Sequence, residues 1–107
     1  MSRSLELADR LAEVRSRITR PDVTLIVVTK TYPVSDVQIL HDLGVTDFGE
    51  NRNEEGLPKS QAVPARWHFQ GEIQSRKIKE IIQWADCIHS LDDLRHAEKL
   101  SAALIKP

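Results

Sequence analysis

Lys30 follows the run Thr24-Leu25-Ile26-Val27-Val28-Thr29, so a primary amine stands where a buried apolar strand would meet a loop. In α/β chains the loops at the carboxyl ends of parallel strands gather over one mouth of the sheet, and ligands bind there. That position suits a chemically active amine. Further strand-like runs end at Gly49, at Phe69-Gln70 and at Ser90, a recurrence of roughly twenty residues, at the short end of repeating architectures. Asn51, His68, His89 and Ser90 therefore gather near the same rim. Each has a plain alternative role: Asn51 and Ser90 can cap the helices that follow them, and His68, between Trp67 and Phe69, can be a hydrogen-bonded core histidine.

The elements that would position these residues alternate regularly. Leu7, Leu11, Val14 and Ile18 recur at helical spacing after Ser4, a candidate N-cap, which predicts a first helix over 4–18. Arg20-Pro21-Asp22 is a turn signal, and the β-branched run over 23–29 reads as the first strand. Pro33 suits a first helical position, Val34, Val37, Leu40 and Leu43 make an apolar stripe, and Gly44 suits a C-terminal cap, so a second helix is predicted over 33–43. A short strand over 45–49 follows, and Asn51 with Glu54 resembles a capping box opening a third helix that Gly56 and Pro58 would shorten or distort. Residues 66–70 alternate as a strand, Ile78, Ile81, Ile82 and Ala85 stripe a fourth helix, residues 86–89 form a fourth strand, and Ser90 with Asp93 announces a last helix carrying Leu94, Ala97 and Leu104.

Strands joined by helical crossovers must run parallel, because a hairpin needs only a few linking residues. No Gly-x-Gly-x-x-Gly or Walker-type loop follows the first strand, which weakens the nucleotide-binding readings of such a sheet and favours a barrel. A closed (β/α)8 barrel typically takes about 250 residues. The 107 residues, 40% hydrophobic and 29% charged, fit one domain holding about the first four βα units. A missing C-terminal half, or self-association through unpaired strand edges, would complete it.

Fifteen basic and sixteen acidic residues leave a formal charge of −1, which gives no footprint for nucleic acid or an anionic membrane. The longest apolar stretch, Leu25-Ile26-Val27-Val28, is far too short to span a bilayer, and the chain opens on an amphipathic segment, so a cytoplasmic location is expected. Cys87 is the sole cysteine, which excludes an internal disulfide or cysteine-based metal cluster and suggests core filling. No metal site is expected.

Four segments then carry a resemblance: Val27-Val28-Thr29-Lys30-Thr31-Tyr32-Pro33, Asp47-Phe48-Gly49-Glu50-Asn51-Arg52, Trp67-His68-Phe69-Gln70-Gly71-Glu72-Ile73-Gln74-Ser75-Arg76-Lys77 and Ile88-His89-Ser90-Leu91-Asp92. In their order and spacing they are similar to the YggS/PROSC family of pyridoxal 5′-phosphate homeostasis proteins. The resemblance implies a (β/α)8 TIM barrel of the alanine racemase N-terminal type, of which residues 1–107 would be the N-terminal half. It implies pyridoxal phosphate as cofactor, held as a Schiff base on Lys30, with Asn51, His68 and Ser90 as further cofactor-binding candidates. It implies a non-catalytic carrier or buffer that could serve pyridoxal-phosphate-dependent apoenzymes; the alternative is a racemase-like enzyme using the same lysine, with Tyr32 or His68 acting on the second face of its substrate. The family usually has Asn where this chain has Arg76, and it holds the cofactor phosphate with residues of later strands, so weak binding by these four units is expected.

Overall fold

The computed structural model describes residues 2–89. Four short strands, β1 (Val27–Val28), β2 (Asp47–Glu50), β3 (Arg66–Phe69) and β4 (Cys87–Ile88), form one sheet in the order β1-β2-β3-β4. Every neighbouring pair is parallel. Helix α1 (Arg3–Ser16) precedes β1, and α2 (Val34–Asp42), α3 (Asn53–Ala62) and α4 (Ile78–Trp84) cross over between successive strands. Crossovers of one hand joining strands in sequential order place their helices on one side of the sheet. This is a segment of a barrel, as the sequence predicts; a doubly wound sheet reverses its strand order and covers both faces. The final helix predicted from Ser90 lies outside the described residues.

The alternation of side chains along β2 and β3 divides their residues between two faces. Phe48, Trp67 and Phe69 face the helices and are almost completely buried. Phe48 stacks on Trp67 with centroids 5.2 Å apart, and Phe69 meets Trp84 of α4 edge-on at 6.0 Å. Val37 and Leu40 of α2, Ile78 and Ile81 of α4, and Leu7 and Leu11 of α1 close the core around them. Each such burial contributes about 1.5–3 kcal/mol. The buried Asp36 ties α1 to α2 by accepting from Arg3 Nε and Nη2 at 3.2 and 2.9 Å, a two-pronged geometry that a lysine could not supply.

Several boundaries differ from the sequence expectation for physical reasons. Ser2, not Ser4, caps α1, its hydroxyl accepting from Leu5 N–H at 3.2 Å, and the helix ends at Ser16, leaving Val14 exposed and Ile18 beyond its end. β1 is confined to Val27–Val28 because it lies at the sheet edge and pairs with β2 alone; residues 23–26 have no partner strand among the described residues. Pro33 occupies the N-cap of α2, while Gly44 ends that helix at φ +99°, as expected of a C-terminal glycine. Helix α3 opens at Asn53 with Arg52 at its cap, so the capping box on Asn51 and Glu54 does not form. The Asn51 backbone instead runs against Gly71, where any Cβ would overlap the Asn51 carbonyl.

Gly56 is buried in the middle of α3, and a Cβ there would overlap the Trp84 ring. Trp84 is fixed further by its indole N–H, which donates to Asn53 Oδ1 at 2.8 Å. Gly56→Ala would gain about 1 kcal/mol in helix propensity. Overpacking against a held indole costs about 1–3 kcal/mol, so a net destabilisation is expected. A urea titration in which Gly56→Ala is more stable than the parent would show that α3 and α4 can part without penalty.

Candidate functional site

The register aligns Val28, Gly49, His68 and Cys87 across the sheet. Counting two residues on along each chain from that row, just beyond the strands, brings Lys30, Asn51, Gln70 and His89 to one level. This row crosses the carboxyl ends of all four strands. Lys30 and Asn51 thus stand just past the carboxyl ends of β1 and β2, and His68 lies one residue short of the carboxyl end of β3. The Gln70 amide lies over Gly49, with Oε1 2.5 Å from where a Cβ on that glycine would stand. Ser90 lies outside the described residues.

Lys30 is exposed and makes no hydrogen bond or ion pair among the described residues. These four strands do not enclose it. Its backbone, in contrast, is closely held. Thr29 N–H donates to the Gly49 carbonyl at 3.1 Å, which carries the β1–β2 ladder up to the residue before Lys30. Tyr32 N–H donates back to the Thr29 carbonyl at 3.0 Å, closing a four-residue turn with Lys30 and Thr31 at its centre. Thr31 has φ +68°, a left-handed conformation that β-branched residues rarely adopt.

Beneath this turn, on the helix side of the sheet, lies a cluster that the sequence reading did not single out. Glu50 is fully buried, and its Oε2 accepts from the Thr29 hydroxyl and from Lys59 Nζ of α3, the latter at 2.7 Å. Lys59 is itself buried and also donates to the Thr29 carbonyl at 2.7 Å. Glu55 accepts from Thr31 N–H at 2.9 Å and lies 3.5 Å from Lys59 Nζ. The Thr31 N–H is the main reason the Glu55 carboxyl sits below its ordinary range, with Lys59 and Arg52 acting in the same direction against the opposing effect of burial. One signal of this cluster was present in the sequence: α3 has no apolar stripe, and the face it buries is Asn53, Gly56 and Lys59.

His68 is buried, as a core histidine would be, but polar groups hold it on both sides. Its Nε2 lies 2.7 Å from Asp47 Oδ2 and its Nδ1 2.7 Å from His89 Nε2. A carboxylate only accepts, so His68 Nε2 donates to Asp47, and one of His68 Nδ1 and His89 Nε2 donates to the other. Cys87 is half-buried, and its Sγ accepts from Arg66 Nη2 at 3.3 Å, so it is not simple core filling. Asn51 is exposed and lines a polar cavity of about 300 Å³ with Phe69, Gln74 and Arg76. Lys77 pairs with Glu54 at 2.7 Å.

Burial pushes the Asp47 carboxyl up, but hydrogen bonds from His68 and Thr46, with the charges of His68 and Arg66, outweigh it and hold the group below its ordinary 3.8. A carboxyl depressed in the folded state adds stability that is complete above the unfolded value and is lost as pH falls through the lower folded value. The parent chain is therefore expected to lose more stability than Asp47→Asn between pH 6 and pH 3. Urea midpoints of the two proteins across that range check this, and parallel curves would remove Asp47 from the acid response.

The sequence profile of the alanine racemase N-terminal domain matches residues 4–107. The pyridoxal phosphate homeostasis protein of Corynebacterium glutamicum is 44% identical over 84 residues, covering 76% of this chain and 38% of that protein. The protein of the same name from Pseudomonas aeruginosa is 36% identical over 107 residues, covering 89% and 46%. Among solved structures, PipY of Synechococcus elongatus with pyridoxal phosphate bound superposes with a TM-score of 0.84 at 35% identity, over 91% of this chain and 47% of that one. The chain thus spans less than half the length of these relatives. Among the described residues, no helix is long and apolar enough to cross a membrane.

Proposed function

Because the chain belongs to the family of the alanine racemase N-terminal domain, we propose that it binds pyridoxal 5′-phosphate and serves vitamin B6 homeostasis in the cytoplasm, with Lys30 as the covalent attachment point. The observation that carries this reading is the position of Lys30: an exposed amine, engaged by no other described residue, on a backbone fixed at the carboxyl end of a parallel strand. When bound, the cofactor supplies an aldehyde that condenses reversibly with an amine, losing water. The chain's own contribution is to hold that amine toward the open face and to offer the polar side chains of Asn51 and His89 on the same row. His68, inside β3 and hydrogen-bonded to Asp47 and His89, orients His89 more directly than it could reach a ligand. Ser90, two residues beyond Ile88 in the sequence, completes the proposed set.

In this reading residues 1–107 are the N-terminal half of a cofactor-binding barrel. The chain acts as a carrier or buffer, and the recipients of the cofactor are apoenzymes that depend on it. Phosphate contacts supply much of the affinity for such a ligand, so binding by these units alone is weak until a complementary half, or a second copy, closes the mouth.

The test is borohydride reduction after incubation with pyridoxal phosphate, followed by peptide mass analysis. Selective fixation of the cofactor on Lys30 is the expected result. Equal labelling of the exposed lysines would show that the turn confers no preference, and the reading would fail for this chain.

A further inference from the structure

We infer that Glu55, Lys59 and Glu50 form a backbone clamp whose function is to present Lys30; the inference rests on the proposed role of that lysine. Both neighbours of Lys30 are held from below by side chains more than twenty residues away in sequence. The Thr29 carbonyl accepts twice, from Tyr32 N–H at 3.0 Å and from Lys59 Nζ at 2.7 Å, while the Thr29 hydroxyl donates to Glu50. On the other flank, Thr31 N–H donates to Glu55 at 2.9 Å. Lys30 itself is left out of every one of these contacts.

Two features separate this cluster from ordinary structural ion pairing. The first is Thr31 at φ +68°, a conformation that costs a β-branched residue energy and persists only where the surroundings over-determine it. The second is the economy of the Glu50 carboxylate. It is fully buried, its Oε1 has no hydrogen-bond partner among the described residues, and its hydrogen bonds go through Oε2 to the Thr29 hydroxyl and to Lys59. A group placed only to stabilise the core would satisfy both oxygens or be replaced by an apolar residue. This arrangement directs the strand end into a sharp turn and fixes the direction in which the lysine leaves the backbone, without occupying its amine.

Lys59→Met would leave Glu50 buried and unpaired and could simply unfold the chain, so the decisive variants are at the half-buried Glu55. Glu55→Ala removes the acceptor for Thr31 N–H; Glu55→Gln keeps an oxygen there without the charge. Three measurements are made on the full chain: the urea midpoint, amide order and exchange at Lys30 and Thr31 by NMR, and the initial rate at which borohydride fixes pyridoxal phosphate on Lys30. In Glu55→Ala the urea midpoint is expected to fall modestly, since a carboxyl held below its ordinary range stabilises the fold, while the chain stays folded without urea. Both amides are expected to loosen and fixation to slow roughly 10- to 100-fold, the scale of a misplacement of about 1 Å. Glu55→Gln is expected to restore both readouts to near the parent values, which a role in bulk stability would not explain. A Glu55→Ala protein with parental amide order, or with a parental fixation rate, overturns the clamp. A parent chain that shows no preference for Lys30 overturns the cofactor reading and the clamp with it, whatever the amides show, so the two failures are told apart.

Discussion

Lys59→Met is expected to destabilise the chain by about 3–5 kcal/mol, the usual cost of stranding a buried charge, and so to remove much of the roughly 5–15 kcal/mol that holds a domain folded. Glu50 is 0% exposed and Lys59 5% exposed, and their 2.7 Å contact supplies the only counter-charge hydrogen-bonded to that carboxylate among the described residues. Methionine fills a similar volume and leaves the negative charge in place, with the Thr29 hydroxyl as its remaining donor. The double variant Glu50→Gln/Lys59→Met removes the charge from both sides and should regain most of the loss, because the penalty belongs to the unpaired ion and not to missing contacts. Urea denaturation of the parent, both single variants and the double variant closes this cycle. A loss below about 1 kcal/mol for Lys59→Met would place the pair among weak surface bridges.

Lys30→Ala has the opposite profile: a null effect on folding with complete loss of the proposed chemistry. The side chain is exposed and contacts no charged partner among the described residues, so its removal should leave the urea midpoint unchanged; surface substitutions of this kind fall within about 0.5 kcal/mol. Borohydride fixation of pyridoxal phosphate at residue 30 disappears by construction, and the informative quantity is total labelling. If Lys30 carries the site, the total falls to the level expected of ordinary surface lysines. If the total is unchanged, fixation at Lys30 was adventitious. Lys30→Arg separates charge from nucleophilicity, since a guanidinium keeps the cation but remains protonated at any pH at which the fold survives.

The parts of this molecule that could be read from the sequence are those that repeat. Apolar stripes located α2 and α4, and the spacing of strand-like runs gave four parallel strands with helical crossovers. Strand ends were less legible because pairing, not composition, sets them: residues 23–26 are as β-branched and apolar as a strand needs but have no partner strand among the described residues. The Asn51 cap failed because the close approach of Gly71 fixes the backbone there, a contact with no local signature. Lys30 stood out by type and position, whereas Glu50 and Lys59 did not, since a charged residue in a helix or at a strand end normally faces water. Their partnership joins two elements, and no periodicity in either one records it. Asp36 with Arg3 escaped notice for the same reason.

The hydrogen-bonded row Asp47–His68–His89 crosses three strands, and each of its links spans 21 residues of sequence. Such a row acts as a proofreader of strand pairing. A slip of β3 by one residue would turn His68 toward the helices and present Trp67 or Phe69 to the open face, breaking both links at once and stranding a buried carboxylate. Short strands carry few ladder bonds with which to resist such errors. Here the penalty for misalignment is concentrated in one imidazole, so the correct register of the rim is enforced at its centre before any ligand arrives.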